Sequence, residues 1–252
     1  MADLQRKSII VTGGASGIGL ATVTQLLELG ARVAVGDLAL ETPSTLTNLN
    51  PASDNFFYQQ LDVTSRQSVQ GFIAKVLEKF GQVDGLVNNA GICPNEGEIA
   101  SDDTFDRIMA VNLKGVWNVG TEVIRRMMEQ ESRGVIVNTA SDAALKGIKG
   151  LAAYTASKHA VLGLTRVWCK EWTPKGIRVN AVAPGVTDTP MVAKIAADHE
   201  SGQEATASWL KNIPMGRFGQ PGEIASVICF LLSKDSSFMS GQVLRIGGGE
   251  GE

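Results

Sequence analysis

The chain has 252 residues, 44% hydrophobic and 19% charged, with a formal net charge of −3. A chain of this size and composition buries a full core without staples, which excludes a disordered tail and a fibrous repeat. Its slight acidity offers no basic field to nucleic acid or anionic lipid.

Ser8 to Thr12 is an apolar, β-branched run and reads as a strand. Ile18 to Leu29 reads as a helix stopped by Gly30. Ala31 to Val35 is a second strand and Phe56 to Leu61 a weaker third. Val69 to Phe80 is a helix with Gly81 behind it, and Val83 to Asn88 a strand. A long helix is expected over Asp103 to Gln130, capped by Ser101 or Asp102. Val135 to Thr139 is strand. Leu151 to Trp172 is helix, ended near Pro174. Ile177 to Ala183 is strand, stopped by Pro184-Gly185. Met191 to Leu210 is polar and helical, and residues 190–212 are expected to form a mobile lid. Pro221 to Leu232 is helix, with Pro221 in its first turn. Gln242 to Ile246 is the last strand.

The strands are continuous apolar runs rather than alternating ones, so both faces of the sheet are covered, as in a parallel sheet. Strand–helix alternation then gives right-handed βαβ units. The expected fold is a doubly wound α/β sheet of about seven strands with helices on both faces. No linker divides the chain, so residues 1–252 are read as one domain.

Cys93, Cys169 and Cys229 are odd in number and scattered, which builds neither a disulfide framework nor a zinc spacing. They read as small buried hydrophobes. His159 and His199 are the only histidines and lie far apart, so no metal site or His-based triad is expected. The polar start, Met1 to Lys7, does not read as a signal peptide. No apolar run approaches a membrane span. The expectation is a cytoplasmic protein in a reducing setting, with no membrane or nucleic-acid partner.

The first strand–helix turn is Thr12-Gly13-Gly14-Ala15-Ser16-Gly17-Ile18-Gly19, a Gly-x3-Gly-x-Gly spacing. Glycine there lets the backbone approach a pyrophosphate, and the helix start supplies free amides and a favourable dipole. In this context it reads as a dinucleotide loop rather than only a tight turn. Asp37, at the end of the second strand, suits the adenosine ribose diol and would repel a 2′-phosphate. No Arg or Lys stands in the loop, so NAD is favoured over NADP. Asp62, followed by Val63, reads either as a contact to the adenine amino group or as a helix cap. Asn88-Asn89-Ala90-Gly91 would let the chain pass close to a ribose, and Asn88 and Asn89 read equally as turn residues.

Tyr154 and Lys158 are four apart on a helix and share a face. A phenol with a pKa of about 10 is a poor acid or base near neutrality unless a cation stabilises its anion. Alone, Tyr-x3-Lys is a weak motif. Ser141 closes the fifth strand and is either a hydroxyl donor to a substrate oxygen or a strand-end cap. Asn112 sits on the apolar stripe Phe105, Ile108, Val116, Val119, Val123 and needs a buried partner.

Together these residues resemble the short-chain dehydrogenase/reductase family over essentially the whole chain. The resemblance covers the glycine turn, Asp62-Val63, Asn88 to Gly91, Asn112, Ser141, Tyr154-x3-Lys158, Pro184-Gly185, Thr189, Arg217 to Pro221 and Gly241-Gln242. It implies a Rossmann-like fold and hydride transfer between a nicotinamide cofactor and an alcohol or ketone. It implies Tyr154 as general acid/base, with Lys158 lowering its pKa and binding the nicotinamide ribose. Ser141 would polarise the substrate oxygen, and Asn112 would help hold a proton-relay water. The cofactor would lie on Gly13, Ser16, Gly17, Ile18, Gly19, Asp37, Asp62, Val63, Asn89, Ala90 and Gly91. It would continue over Tyr154, Lys158, Pro184, Gly185, Val186 and Thr189. One departure is Gly247-Gly248-Gly249 where the family often ends Asp-Gly-Gly, which bears on C-terminal packing or subunit contact rather than on chemistry. Members are usually tetramers or dimers, pairing through the helices around Asn112 and Tyr154, where Trp117, Trp168 and Trp172 suit either an interface or core packing.

The substrate pocket is expected at Cys93, Ala143, Ile148, Met191 and Trp209. Its small apolar groups point to a neutral, largely apolar secondary alcohol or ketone. An NADP-dependent carbonyl or 3-oxoacyl reductase and a non-catalytic nucleotide-binding regulator are the alternatives.

Overall fold

The computed structural model describes residues 3–47, 54–198 and 202–251. Seven strands alternate with helices. The strands are β1 (Ser8–Thr12), β2 (Arg32–Asp37), β3 (Phe56–Gln60), β4 (Gly85–Asn88), β5 (Val135–Thr139), β6 (Arg178–Pro184) and β7 (Val243–Ile246). They form one sheet in the order β3-β2-β1-β4-β5-β6-β7, every pairing parallel. The order reverses between β1 and β4, and a crevice opens there at the strands' carboxyl ends.

The helices are α1 (Gly17–Glu28), α2 (Ser44–Thr47), α3 (Arg66–Phe80), α4 (Asp102–Met109), α5 (Val116–Glu129), α6 (Ala152–Trp172), α7 (Pro190–Ala197), α8 (Gly202–Lys211) and α9 (Pro221–Leu232). They cover both faces of the sheet. On one face Ile10, Leu86 and Ile136 pack against Phe72 of α3, Val123 of α5 and Leu162 of α6. On the other face Ile9, Val11 and Val87 pack against Val23 and Leu26 of α1 and Ile224 and Ile228 of α9. Neighbouring residues of one strand thus enter opposite cores, which is why the strands read as unbroken apolar runs.

Two features differ from the sequence reading, and a third decides an alternative that it left open. The helix expected over Asp103 to Gln130 is broken by a π-helical turn at Ala110–Gly115. Asn112 lies within that turn, fully buried, and π turns are frequent at functional sites. The stretch from Met191 to Leu210 is two helices, α7 and α8, and residues 199–201, including His199, lie outside the described residues. Trp168 is buried, and a Cβ on Gly120 would approach its ring to 2.4 Å. It is a core residue, and only Trp117 of the pair presents a substantial open surface.

Among the described residues no helix is long and apolar enough to cross a membrane, and no cluster could hold a metal ion.

Candidate active site

A cleft of about 780 Å³ runs along the carboxyl ends of the strands, from Asp37 at one end to Ser141 and Tyr154 at the other. The glycine turn forms its floor. Gly13 takes φ +64, and a Cβ there would lie 2.9 Å from Ala90 Cα. Gly19 is tighter still: its Cβ would meet Gly13 O at 2.0 Å and Asn89 Nδ2 at 2.6 Å. Gly19 does not line the cleft. The missing side chain lets α1 close against the turn. The α1 N-cap, Ser16, makes no side-chain capping bond, and no acid stands in the first turn. A helix start left in this state on a cleft wall is a ready anion site.

Thr12 and Asn89 lock the turn to β4. Thr12 Oγ1 accepts from the amides of Asn89 and Ala90 at 3.0 and 3.1 Å. Asn89 Nδ2 donates to Gly13 O at 3.0 Å. Asp37 is held by two amides, Ala15 N–H to Oδ2 at 2.9 Å and Leu38 N–H to Oδ1 at 2.8 Å. Asp62 accepts from the amide and hydroxyl of Thr64 at 2.9 and 2.7 Å, while Ser65 caps α3. Asp62 and Val63 therefore remain on the cleft wall rather than serving the helix.

At the other end the Tyr154 phenol and the Ser141 hydroxyl stand together on the cleft wall. Burial pushes the Tyr154 phenol above its ordinary value, and the Cys93 thiol beside it adds to this, while the Ser141 hydroxyl opposes it. Lys158 is 4% exposed, and burial holds its ammonium down to about 8. Its Nζ donates to Thr139 O at 2.9 Å and lies 5.7 Å from the Tyr154 ring centroid. Lys158, expected to lower the phenol, is not among the groups that shift it; desolvation is the largest cause. Lys158 is engaged by a carbonyl and stands beside the Tyr154 ring.

Asn112 is fully committed to protein groups. Its Oδ1 accepts from Ile92 N–H at 2.8 Å, and its Nδ2 donates to Ile92 O at 2.9 Å and Ser157 Oγ at 3.1 Å. Gly91 keeps this corner open, since a Cβ there would sit 3.4 Å from both Asn112 Oδ1 and Lys158 Nζ.

Cys93, Ile148, Met191 and Trp209 line the substrate end, as do Pro184, Gly185, Val186 and Thr189 further along. Ala143 does not. It belongs to a buried turn, Asp142–Ala144, and its amide donates to Ser141 Oγ at 3.2 Å behind the wall. Thr189 caps α7 and packs its methyl toward Gly17. An ion cluster that the sequence reading missed closes this end. Asp142 meets Arg245 Nε at 2.7 Å and Lys146 Nζ at 2.6 Å, and Lys146 meets Glu250 at 2.7 Å. These contacts hold the tail behind Gly247-Gly248-Gly249 against the Ser141 loop. Acids at 142 and 250 thus organise the C-terminal turn that lacks one at 247.

The residues present fit a nicotinamide dinucleotide. The cleft has an uncapped helix start midway, an acid at one end, a hydroxyl pair and an amine at the other, and a floor that tolerates no extra Cβ. A family model described as enoyl-(acyl carrier protein) reductase matches residues 13–250. A 3-oxoacyl-(acyl-carrier-protein) reductase of Thermotoga maritima is 41% identical over 251 residues, covering 98% of each chain. A levodione reductase of Leifsonia aquatica is 37% identical, over 96% of this chain and 93% of its own. A crystal structure of levodione reductase superposes with a TM-score of 0.92 at 35% identity, covering 98% of both chains. The chain belongs to the short-chain dehydrogenase/reductase family and is an oxidoreductase of that family's nicotinamide-dependent kind.

Proposed function

We propose that the protein is an NAD-dependent dehydrogenase of neutral, largely apolar secondary alcohols, and reduces the corresponding ketones. The observation that carries this reading is one cleft with Asp37 at its far end and Tyr154, Ser141 and Lys158 at the near one. When bound, the nicotinamide supplies the hydride acceptor or donor. Ser141 orients the substrate oxygen by hydrogen bond. Tyr154 gives that oxygen its proton in reduction and takes it in oxidation. Lys158 holds positive charge beside the phenolate that oxidation generates and binds the nicotinamide ribose. Asn112 fixes the chain at Ile92, and the family pattern adds a share in carrying the proton from Lys158 to solvent.

Gly13, Gly17, Ile18 and Ser16 would receive the pyrophosphate, Asp62, Val63, Asn89, Ala90 and Gly91 the adenosine side, and Pro184, Gly185, Val186 and Thr189 the carboxamide side. Asp37 would accept from the ribose diol. The cations lining the cleft are Lys146, Lys149 and Lys158, and none of them neighbours Asp37 in sequence. A 2′-phosphate would therefore meet a carboxylate with no counter-charge, which favours NAD. At the substrate end Lys146 is already matched by Asp142 and Glu250. The remaining wall is chiefly Ile148, Val186, Met191, Ile195 and Trp209, which suits an uncharged, apolar body. Within the expected lid, α7 has no fully buried residue yet contributes Met191 and Ile195 to the wall, which suits a segment that closes over the substrate. The cysteines at 93, 169 and 229 are free, which suits a cytoplasmic setting. The family's pairing through α5 and α6 makes a homodimer or homotetramer the expected assembly.

Initial rates of NAD⁺ and NADP⁺ reduction with 2-propanol, 2-octanol and cyclohexanol test this reading. NAD⁺ turnover rising with apolar bulk is the expected result, and NADP⁺ preference or silence with both would overturn it. Asp37→Ser should raise the KM for NAD⁺ about tenfold or more, because a charged hydrogen-bond acceptor is lost. It should also narrow the gap to NADP⁺, which steady-state kinetics with both cofactors reads directly.

A further inference from the structure

The first turn of α6 carries Tyr154, yet this helix begins without a cap of its own. Leu151 stands at the N-cap and makes no side-chain capping bond. An apolar side chain offers nothing to the free amides of a helix start. Two of those amides are nevertheless bonded. The Glu96 carboxylate accepts from Ala153 N–H through Oε2 and from Tyr154 N–H through Oε1, both at 2.8 Å. Glu96 is only 5% exposed and does not line the cleft. It comes from the loop after β4, far back in the chain.

Burying a carboxylate is costly unless its oxygens are matched. Two amide donors at the positive end of a 21-residue helix supply that match. The other side of Tyr154 is held as well. Ser157 Oγ donates to Tyr154 O at 2.7 Å and accepts from Asn112 Nδ2 at 3.1 Å. Asn112 in turn grips Ile92, on the same loop as Glu96. The main chain of Tyr154 is therefore clamped at both its N–H and its C=O by one brace that runs through Asn112, the Ile92–Glu96 loop and Ser157.

We propose that Glu96 is a positioning residue for the reaction: its carboxylate fixes the first turn of α6 so that the Tyr154 hydroxyl stays on Ser141 and within reach of the substrate oxygen. This rests on Tyr154 being the acid/base. A helix start that frays moves the hydroxyl by a fraction of a turn, and misplacement of about 1 Å costs up to about 100-fold in rate.

The test compares full-length wild type with Glu96→Ala, Glu96→Gln and Tyr154→Phe. Rates are measured with NAD⁺ and cyclohexanol, cofactor affinity by NADH fluorescence, and amide exchange across residues 153–154. The chain has only two tyrosines, so phenolate absorbance with Tyr154→Phe as reference isolates Tyr154. Glu96→Ala should lower kcat about tenfold or more with NADH affinity within about twofold. It should lose protection at the two amides. Tyr154 phenolate should form at least about one pH unit lower as water reaches the hydroxyl. Glu96→Gln, which keeps an acceptor oxygen, should lie between. Unchanged phenolate formation and kcat within about twofold of wild type would overturn the proposal, as would NADH affinity falling in step with kcat. Full activity in Tyr154→Phe would instead overturn the acid/base reading. If cyclohexanol is not turned over, unchanged phenolate and amide signals in Glu96→Ala still overturn the proposal, and altered ones support it.

Discussion

Tyr154→Phe should lower kcat by about 10²–10⁴-fold, the usual contribution of a positioned acid or base, while the protein folds as before. The phenylalanine keeps the ring and loses only the hydroxyl that meets Ser141. A pH profile distinguishes proton transfer from simple packing loss. Burial and the neighbouring Cys93 thiol hold the Tyr154 phenol above its ordinary value in the free protein. The protonated form required for ketone reduction is therefore present throughout the neutral range. The deprotonated form required for alcohol oxidation is scarce there. Oxidation by wild type should rise with pH with no plateau below about pH 9, whereas reduction should stay level until Lys158 begins to lose its proton near 8. Residual rates in Tyr154→Phe should follow neither limb. A variant within about fivefold of wild type, or oxidation level from pH 6 to about 9, would remove Tyr154 from the proposed role.

The parts of this site legible in the sequence are those with a local reason. β1, β5 and α9 match their predicted bounds because apolar, β-branched runs end at turn residues, or because Pro221 opens a helix. The glycine turn and Asp37 are legible because a strand, a turn and a helix start follow one another directly. At Asn112 the polar residue on an apolar stripe pointed to a helix bend near Gly115, but not to its π-helical form, since the stripe continues helical spacing on either side. The cause of that form is non-local: the buried Asn112 amide must reach Ile92 and Ser157. Glu96 is equally silent, an ordinary loop acid until folding brings it to a helix that Leu151 cannot cap. The cluster of Asp142, Lys146, Arg245 and Glu250 joins groups from distant segments. Ala143 illustrates the converse error, because proximity to Ser141 in sequence does not fix on which side of the wall a side chain falls.

Lys158→Met should abolish turnover and yet raise thermal stability at neutral pH. Lys158 is almost completely buried, and its ammonium donates to the Thr139 carbonyl. Desolvation lowers its pKa from 10.5 to about 8, so the unfolded chain binds the proton more tightly than the native protein does. Below pH 8 the ammonium is charged in both states, and this difference costs the native state about 3 kcal/mol in full. Between about 8 and 10.5 the native lysine is neutral while the unfolded one is still charged, so wild-type stability rises with pH relative to the variant. Above that window both are neutral and the penalty is gone. Methionine removes the charge and keeps most of the stem's packing, but leaves Thr139 O without its donor, at a cost of about 1–2 kcal/mol. The net expectation is a variant about 1–2 kcal/mol more stable than wild type at pH 7, which is a Tm higher by a few degrees for a chain this long. That advantage should shrink from pH 8 upward and reverse near pH 10.5, where only the orphaned carbonyl remains. Urea melts at pH 7, 9 and 10.5 read the sign directly. Equal stability differences at all three would mean that Lys158 is not held in a desolvated state. The gap shrinking on schedule would mean that the fold tolerates a strained ammonium, and the cleft chemistry supplies a reason: a cation poised beside Tyr154 stabilises the phenolate that oxidation must form.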